Sequence, residues 1–360
     1  MITTPPELSI IVPVLNDAAE LRGLLASLAE QKGPSFEVIL CDGGSSDGIQ
    51  ALAAAWMTRR CFLLRLIPTA RGRAIQMNAG AAAAAADTLL FLHADSRFCR
   101  NDALLTGIQA YRRFQNSSAR PCAARFRLRF RRSDTTPALP YYYHEAKARL
   151  DRGDCIRGDQ GYLISRSTFD RLGPFDGSLP FLEDVRLAAL LATQGQWLLL
   201  PAHISTSARR FEQEGFYGRQ VANVIIVNAL ATGWDELLNA VPGLYRCNSS
   251  SDRLALFPLL DGVRTMINNH GRTWRNSFWQ ATGGHVAANA WQIFFWLDVR
   301  RAFRSGQPAD EVDPVWLKLY DCRLQPLFGS RPTALLANIL TRIWFWRVWN
   351  SAGKEFTKTS

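Results

Sequence analysis

Residues 9–95 alternate short apolar runs, rich in β-branched residues, with longer segments whose apolar residues recur at helical spacing. Apolar runs this short are typical of buried strands. Strands that alternate with helices of about 10–15 residues predict right-handed βαβ units. We therefore expect an α/β fold of the Rossmann-like group, with a mostly parallel central sheet flanked by helices. The predicted strands are 9–15, 36–41, 62–67 and 89–95, and the predicted helices are 18–31, 49–58 and 74–86.

The segment between residues 97 and 212 has a less regular pattern. One predicted strand reads ARFRLRF, and its alternation of basic and apolar residues indicates that one face lies in water. The predicted strands here are 124–130, 162–165 and 197–201, and the predicted helices cover about 101–115, a segment that starts at Ser167, and 183–194.

Beyond residue 212 the sequence changes to helical segments dense in Trp and Phe, with breaks near 243–252 and 305–314. We therefore divide the chain into a first domain, residues 1–212, and an aromatic-rich α-helical C-terminal region, residues 213–360. Near the C-terminus, LLANILTRIWFWRVWN carries an apolar stripe next to Arg342 and Arg347. Such a stripe suits a helix that lies at a lipid interface, although we favour a helix packed on the rest of the protein or in a dimer interface. The stripe consists of Leu336, Ile339, Leu340, Ile343 and Trp344.

Composition restricts the partners and the cellular location. The formal net charge of +11 suits an anionic partner, such as a nucleotide diphosphate or an anionic membrane, or serves solubility alone. No nucleic-acid-binding motif accompanies the charge, so nucleic acid is not expected. Seven cysteines without a C-x-x-C pair predict reduced thiols and no disulfide. The N-terminus lacks the features of a signal peptide and no apolar stretch is long enough to span a bilayer. We expect a cytoplasmic protein, with the inner face of the membrane as an alternative location.

Polar residues follow each of the first four predicted strands. In a parallel sheet, ligands bind beyond the carboxyl ends of the strands. Taken alone, Asp-Gly-Gly-Ser-Ser-Asp-Gly is typical of a turn and a helix N-cap, but four polar strand ends together predict a binding site. The four groups are Asn16 with Asp17, residues 42–48, Arg71 with Arg73, and residues 93–96.

The first two groups offer what a nucleoside requires. The carboxylate of Asp42 suits a base N–H, and that of Asp17 suits the base or the ribose. Gly43 and Gly44 allow the backbone to approach a ligand closely because they have no side chain.

The other two groups offer what a diphosphate requires. Arg71 and Arg73 present forks of donors to phosphate oxygens. A diphosphate also needs a divalent ion held by hard oxygen ligands, and Asp95 is the natural ligand in the fourth group.

The segments SIIVPVLNDAAEL, FEVILCDGGSSDG and LLFLHADS resemble the N-terminal motifs of family 2 GT-A glycosyltransferases. RGRAIQMNAGAAAA, RGDQGYLISRSTFDRLGPFDGSLPFLEDVRLAALL and STSARRFEQEG resemble a bacterial subgroup, the radical-SAM/selenodomain-associated transferases, so the similarity covers roughly residues 8–245. The resemblance implies a GT-A nucleotide-diphospho-sugar transferase fold over the first domain. It also implies a hexosyltransferase-like activity that uses a nucleotide-sugar donor, a divalent metal (Mn²⁺ or Mg²⁺) and an unidentified hydroxyl acceptor.

Carried over by matching position, the resemblance assigns residues to two kinds of motif. His93-Ala94-Asp95 falls on the family's Asp-x-Asp metal motif, in which Asp95 keeps the expected ligand. His93 departs from the pattern because it replaces the first aspartate, and we keep it as a substrate-binding residue that contacts either ribose or metal. The nucleotide-binding motifs contain Pro13, Asp17, Asp42 and Asp47.

Glu183 and Asp184 resemble the family's Glu-Asp motif, in which a carboxylate acts as general base on the acceptor hydroxyl. Inverting transfer needs such a base, because the acceptor loses its proton as it attacks the anomeric carbon opposite the nucleotide diphosphate. Standing alone, two acids at the start of a helix would simply complement its dipole. We predict that Asp184 is the base and that Glu183 is part of the catalytic group.

Two further pairs are predicted to contact substrate. Asp159 and Gln160 suit the positioning of the acceptor or the donor sugar, although Asp159 equally suits a turn. Arg209 and Arg210 occupy the place where related enzymes put basic residues over the leaving diphosphate, and a solvated basic pair is the alternative. His203 suits a third metal ligand, but we favour a plain surface histidine.

Other functional classes fit less well. A nucleotidyltransferase would carry a glycine-rich loop with arginine after the first strand, and a dinucleotide oxidoreductase would carry G-x-G-x-x-G there. The observed PVLNDAAE has neither. A catalytically silent nucleotide-sugar sensor or scaffold stays open because the first aspartate of the metal motif is missing, while Asp95, Glu183 and Asp184 argue against it.

Overall fold

The computed structural model describes residues 5–245 and 253–359. The chain forms two compact units: Met1–Arg132 with His144–Ser207, and Ser133–Tyr143 with Ala208–Ser360. From Ala208 onward the whole chain belongs to the second unit. The predicted domain boundary after residue 212 stays a prediction.

The first unit contains one eight-stranded sheet. Its strands are β1 (Leu8–Val14), β2 (Phe36–Asp42), β3 (Leu63–Pro68), β4 (Thr88–Phe91), β5 (Arg97–Phe98), β6 (Cys122–Arg131), β7 (Tyr162–Ser165) and β8 (Gln196–Ser207). The spatial order is β3-β2-β1-β4-β7-β6-β8-β5. β1 to β4 are parallel, as predicted, whereas β7 runs antiparallel to both of its neighbours. β6 and β8 are parallel and β5 pairs antiparallel with β8, so the sheet is mixed.

Helices cover both faces of this sheet. They are α1 (Ala18–Ala29), α2 (Ile49–Arg59), α3 (Arg73–Ala83), α4 (Ala103–Ser117), α6 (Arg166–Leu172) and α7 (Glu183–Gln194), while α5 (Leu139–Lys147) contains residues of both units. Along β1, Ile10 and Val12 join the core with α1, α2 and α4, and Ile11 joins the core with α3, α6 and α7. Because successive strand residues point to opposite faces, a continuous apolar run such as β1 requires both faces to be covered.

Small residues bring α3 unusually close to the sheet. A Cβ atom placed on Gly80 would lie 2.4 Å from Ile11 Cγ2 and 2.7 Å from Cys41 Sγ, so only glycine fits there. The alanine-rich sequence of α3 thus lets its first turn lie at the carboxyl ends of β1 and β2.

Several element boundaries differ from the sequence prediction. The predicted strand 89–95 ends at Phe91, because the Ser96 amide donates to the carbonyl of His93 (3.1 Å) and closes a turn. His93 and Asp95 therefore lie in a turn after β4. The predicted helix 74–86 ends at Ala83, and the predicted strand 197–201 continues to Ser207. Helix α5 was not predicted.

The second unit is helical, as predicted for the C-terminal region. Its helices are α8 (Arg209–Glu214), α9 (Phe216–Thr232), α10 (Asp235–Leu244), α11 (Leu256–Asn269), α12 (Arg272–Ala288), α13 (Trp291–Arg304), α14 (Val315–Leu319), α15 (Gln325–Phe328) and α16 (Arg331–Thr359). The break predicted near 305–314 separates α13 from α14, and most of the break predicted near 243–252 lies outside the described residues. A Cβ atom on Gly283 of α12 would lie 2.3 Å from the carbonyl oxygen of Ala334, so α12 and α16 approach each other closely there.

Two sequence predictions concern the whole chain. Over the described ranges, no helix combines the length and the hydropathy that a bilayer crossing requires. Cys41, Cys61, Cys99, Cys122, Cys155 and Cys322 are free thiols, and Cys247 lies outside the described residues.

Candidate active site

The loops that follow β1 and β2 are joined to each other by hydrogen bonds. The Asn16 side-chain oxygen accepts from the Ser46 amide (2.9 Å), and the Asn16 amide donates to Ser45 Oγ (3.0 Å). Asp47 Oδ2 accepts from the Ala18 amide (2.7 Å) and so satisfies an N–H group in the first turn of α1. The two loops that carry the predicted nucleotide-binding residues are therefore connected.

Asp42 is the centre of the second loop. Its Oδ1 accepts from the amides of Gly44 (3.2 Å) and Ser45 (2.9 Å) and from Ser45 Oγ (2.6 Å), and its Oδ2 accepts from Gln50 Nε2 (2.8 Å). These bonds fix the turn that the sequence alone also suggested. A nucleotide base at Asp42 would donate to a carboxylate oxygen that already accepts hydrogen bonds from the protein.

Gln76 of α3 connects the ends of the two strands. Its buried amide donates to the carbonyls of Val14 (2.8 Å) and Cys41 (2.7 Å). A Cβ atom on Gly43 would come within 3.2 Å of this amide, which explains the glycine. Gly44 has a φ of 93° and no atom within 4 Å of the place a Cβ would take, so the backbone there faces open space.

The other predicted residues of this side lie nearby in the fold. Pro13 is half-buried in β1, opposite Cys41 in the register with β2. Asp17 is the N-cap residue of α1, and Arg71 is exposed just before α3 begins.

Glu183 and Asp184 open α7, as predicted, and both are buried. Arg73 reaches them from the first turn of α3. Its Nε donates to Glu183 Oε1, and its Nη2 lies 3.8 Å from Asp184 Oδ1. Burial alone would lower the pKa of Arg73, but the two carboxylates outweigh it and hold that pKa above its usual value. Arg73 was predicted to bind diphosphate, and its observed partners favour a role in holding the Glu-Asp pair.

Asp184 is held in the ionised form. Its Oδ2 accepts from the Gly158 amide at 2.7 Å. Burial alone would raise the pKa of its carboxyl, but the Arg73 guanidinium and the Gly158 N–H together bring the pKa below its usual value. The Asp184 carboxyl is therefore ionised at neutral pH.

Gly158 separates Asp184 from His93. A Cβ atom on Gly158 would lie 3.1 Å from His93 Nε2 and 3.2 Å from Asp184 Oδ2. The turn after β4, which carries the predicted metal motif, thus lies across Gly158 from the predicted base, and a methyl group on Gly158 would press on both.

Asp159 lies in the same group of acids. Burial, followed by the negative charges of Asp184 and Asp95, raises the pKa of Asp159 to about 7. Its Oδ1 is buried and has no hydrogen-bond partner among the described residues. A buried carboxylate oxygen without a partner is unfavourable unless a ligand supplies one.

Asp95 is oriented by the end of β8. Its Oδ2 accepts from Thr206 Oγ1 (3.1 Å) and from the Ser207 amide (3.3 Å), and its carbonyl accepts from Arg131 Nη2 (2.7 Å). In the part of the chain that the structure describes, no three His, Cys, Asp or Glu side chains lie together as a complete metal cage. Mg²⁺ in nucleotide sites uses one or two carboxylates with substrate phosphates and water. Two interacting carboxylates, Asp95 and Asp159, are hard oxygen donors that fit this requirement.

Four other residues singled out in the sequence lie outside this group of acids. Gln160 is fully buried: its Oε1 accepts from the Arg157 amide (3.0 Å) and its Nε2 donates to the Ala148 carbonyl (2.6 Å). That geometry favours a supporting role over direct contact with substrate. Arg209 and Arg210 begin α8, in the second unit. His203, for which we favoured a place on the surface, is half-buried in β8.

The sequence reasoning missed two polar residues of α3. Gln76 joins β1 to β2, and Asn78 exchanges two hydrogen bonds with the backbone of Phe175 (2.8 and 2.9 Å). Asn78 thereby fixes the loop that leads to Glu183. Polar side chains inside an alanine-rich helix that packs on a sheet were the available signal, because buried amides need partners.

Comparison with known proteins adds to this geometry. Residues 9–171 match the family model described as "Glycosyl transferase family 2". The chain is 39% identical over 102 residues to the "PGL/p-HBAD biosynthesis glycosyltransferase" of Mycobacterium bovis (strain BCG / Pasteur 1173P2), and equally to that of Mycobacterium tuberculosis (strain ATCC 25177 / H37Ra). Each alignment covers 28% of this chain and 39% of the relative, well under two thirds of the relatives' length.

Two solved structures align with this chain at low identity. The mannosyltransferase PcManGT from Pyrobaculum calidifontis, in complex with GDP-Man and Mn²⁺, aligns with a TM-score of 0.48 and 15% identity over 95% of this chain and 88% of its own. S. aureus TarS 1-349, in complex with UDP, aligns with a TM-score of 0.44 and 16% identity over 88% and 91%. The α/β fold of this chain is GT-A-like, with a mixed sheet flanked by helices and a C-terminal helical region. Glu183 and Asp184 lie beyond the segment that matches this family model.

Proposed function

We propose that this protein is a glycosyltransferase that moves a sugar from a nucleotide-diphosphate donor to a hydroxyl acceptor, with inversion at the anomeric carbon. The observation that carries the proposal is the state of Asp184. It is a buried carboxylate kept ionised by Arg73 and the Gly158 amide, and only Gly158 stands between it and His93 in the turn after β4. A buried base beside a cluster of acids at strand ends is the arrangement that this reaction needs.

Asp184 supplies the proton acceptor in the proposed reaction. The acceptor hydroxyl oxygen forms a bond to the anomeric carbon while its proton passes to Asp184. The bond between that carbon and the diphosphate oxygen breaks, and the nucleoside diphosphate leaves with the electron pair. Arg73 and Glu183 orient the base: Arg73 binds both carboxylates, so Asp184 keeps one geometry during the transfer.

The donor is proposed to bind on the loops after β1 and β2, with Pro13, Asp17, Asp42, Gly43 and Asp47 on its nucleoside side. The hydrogen bonds between these loops give the nucleoside a preformed surface. Their tight network leaves little reorganisation to be done on binding, which favours affinity.

A divalent ion, Mn²⁺ or Mg²⁺, is the proposed cofactor, with Asp95 as its protein ligand and Asp159 as a second source of negative charge. When bound, such an ion neutralises charge on the leaving diphosphate. Asp95 is suited to this role because both of its bonds to Thr206 and Ser207 use Oδ2. These two bonds leave Oδ1 for the ion. Arg71, Arg209 and Arg210 are proposed to add positive charge for the diphosphate.

Finer assignments rest on the sequence motifs. We propose that the enzyme is hexosyltransferase-like and belongs with the radical-SAM/selenodomain-associated transferases, because the segments RGRAIQMNAG and RGDQGYLISRS resemble that subgroup. We also propose a cytoplasmic location.

The test combines a donor screen with two matched variants. The midpoint of thermal unfolding is measured with UDP, GDP and their sugars, with and without Mn²⁺ or Mg²⁺, and release of nucleoside diphosphate is then followed with the donor that binds. We expect Asp184→Asn to lower kcat by roughly 10²–10⁴-fold with the donor-induced shift retained. Asp170→Asn makes the same charge change at an exposed position of α6 and should leave kcat unchanged.

Two results would count against the proposal. Equal turnover by wild type and Asp184→Asn would remove Asp184 from the mechanism. Donor binding without turnover in the wild type, across metals and hydroxyl acceptors, would support the alternative of a catalytically silent nucleotide-sugar sensor, which the replacement of the first metal-motif aspartate by His93 motivates.

A further inference from the structure

The C-terminal unit contains a positively charged pocket of about 460 Å³ between α11, α12 and α16. Four arginines line it: Arg264, Arg272, Arg275 and Arg342. No Asp or Glu is among the described residues that line the pocket, and none of the four guanidinium groups forms an ion pair with a described residue. Four unneutralised guanidinium groups around one cavity repel one another unless an anion enters.

Aromatic rings hold two of these arginines in place. The Arg264 guanidinium carbon lies 3.9 Å from the centre of the Trp349 ring, and that of Arg342 lies 5.5 Å from the centre of the Trp279 ring. Trp349 is itself fixed, because its Nε1 donates to Asp261 (3.0 Å). A guanidinium group stacked on a ring keeps its N–H edge available, so the pocket offers oriented donors to a phosphate group.

The same helix, α16, exposes a continuous apolar face. At 3.6 residues per turn, the six side chains of this face span an arc of about 140°, and their exposed fractions range from 48% to 62%. Ala337, Val348 and Ala352 lie on the opposite side of α16 and are buried. The apolar face consists of Leu335, Leu336, Ile339, Leu340, Ile343 and Trp346.

This face confirms most of the stripe predicted from the sequence, in that Leu336, Ile339, Leu340 and Ile343 lie together and are exposed. Trp344 is half-buried, and Trp346 takes its place on the exposed side. Trp346 also lines the arginine pocket, so the apolar face and the pocket are adjacent.

We propose that α16 docks on an anionic lipid membrane, with its apolar face among the upper acyl chains and the arginine pocket around a lipid phosphate. Apolar side chains, tryptophan and arginine side by side on one helix are the combination that binds at a bilayer interface. Each part needs the other: the apolar face would be costly to expose to water, and the arginines select anionic lipid.

Charge argues against the two other occupants. In a twofold dimer the same patch meets itself, which would bring the unneutralised arginines of both copies together. A soluble phosphate compound would neutralise the pocket but would leave the six apolar side chains in water. An anionic membrane satisfies both features at once.

The test is flotation of the full-length protein with vesicles of phosphatidylcholine alone and with vesicles that also contain phosphatidylglycerol. We expect binding only to the second kind, and weaker binding as salt is added. Arg272→Gln with Arg275→Gln should reduce the partition coefficient by about 25-fold, because each arginine near an anionic surface contributes about fivefold. Both arginines stand in the first turn of α12, where positive charge opposes the helix dipole, so the change should not destabilise the fold.

Arg113→Gln with Arg171→Gln is the matched control, because it removes the same charge from exposed positions of the first unit. It should lower binding by less than about twofold. A further variant, Leu336→Gln with Leu340→Gln, should reduce binding to anionic vesicles while the midpoint of thermal unfolding stays the same or rises.

Four results would overturn the proposal: equal binding to both kinds of vesicle, an equal loss in the pocket variant and in its control, unchanged binding of the Leu336 and Leu340 variant, or stabilisation by inorganic phosphate without any flotation. A dimer in sedimentation velocity that the leucine variant dissociates, with no vesicle binding by the wild type, would assign the face to a second copy of the chain. Because the readout is partition and not turnover, the result is independent of the proposed sugar transfer.

Discussion

The contact between Gly158 and Asp184 allows the proposed base to be displaced by a single methyl group. In Gly158→Ala the new Cβ would lie 3.1 Å from His93 Nε2 and 3.2 Å from both Cβ and Oδ2 of Asp184. Ordinary van der Waals contact needs 3.4–4 Å, so these groups must move by a few tenths of an ångström. The Gly158 amide that donates to Asp184 at 2.7 Å must move with them.

The magnitude follows from these distances. Overpacking of this kind costs about 1–3 kcal/mol of the free energy of unfolding. A reacting group misplaced by about 1 Å costs on the order of 10² in rate, so a smaller displacement of Asp184 should lower kcat by about tenfold or more. The KM for the donor should change little, because the predicted nucleoside contacts lie in the loops after β1 and β2.

Gly153 supplies the matched control. Like Gly158, it is the first residue of a single 3₁₀ turn, but no atom lies within 4 Å of the position that a Cβ would take. We expect Gly153→Ala to retain the wild-type kcat and thermal midpoint. Release of nucleoside diphosphate and differential scanning fluorimetry measure the two quantities. A Gly158→Ala enzyme with wild-type kcat, or a Gly153→Ala enzyme that is equally impaired, would refute this account of the site.

Three further predictions concern the charged and polar groups around Asp184. Asp159→Asn should stabilise the metal-free protein by on the order of 1–2 kcal/mol at pH 8, after allowance for solvent screening. The pKa of Asp159 in the folded state is raised to about 7, from an unfolded value near 3.8. The carboxyl therefore favours folding below pH 3.8, and that contribution to stability is lost as the pH rises through 7. Urea titrations at pH 4 and pH 8 check this, and an equal effect at both pH values would contradict it. Arg73→Gln should cost about 3–5 kcal/mol of the free energy of unfolding, because it leaves the buried carboxylates of Glu183 and Asp184 without their ion-pair partner. Adding Glu183→Gln to the same chain should restore part of that loss. Simple additivity in this double-mutant cycle would rule out an ion pair between Arg73 and Glu183. Asn78→Ala should lower kcat and loosen the loop before Glu183, seen as faster amide hydrogen exchange at Phe175; unchanged exchange there would show that the loop is held by other contacts.

Much of the first unit could be predicted from residue patterns because its strands are buried on both faces. The predicted strand 36–41 is one residue shorter than β2 at its C-terminal end, and the predicted strand 62–67 is shifted by one residue from β3. β7 matches its prediction at both ends. The order of the strands could not be predicted beyond β4. The antiparallel insertion of β7 between β4 and β6 depends on pairings between segments far apart in the chain, which no local pattern records.

The candidate site shows the same division. The acids of the site were identified from their position after strands or at a helix start, and Asp95, Asp159 and Asp184 do interact. Their partners were not identified. Arg73, 110 residues before Glu183, binds that residue and Asp184, and Gln160 is directed inward to the Ala148 carbonyl. Which charges neutralise each other depends on distances in three dimensions, and two arginines near one strand end look alike in sequence.

The sequence by itself determined the alternation of strands and helices, the chemical types at the strand ends and the apolar stripe of α16, because periodicity and residue type report local burial. Only the tertiary structure decided that Gly158 separates His93 from Asp184 and that Asp42 accepts hydrogen bonds from its own loop. It also decided that the apolar stripe of α16 is exposed beside arginines that form no ion pair with a described residue. The physical reason is that hydrogen bonds and ion pairs act over a few ångströms, so their formation depends on which distant segments the fold brings into contact.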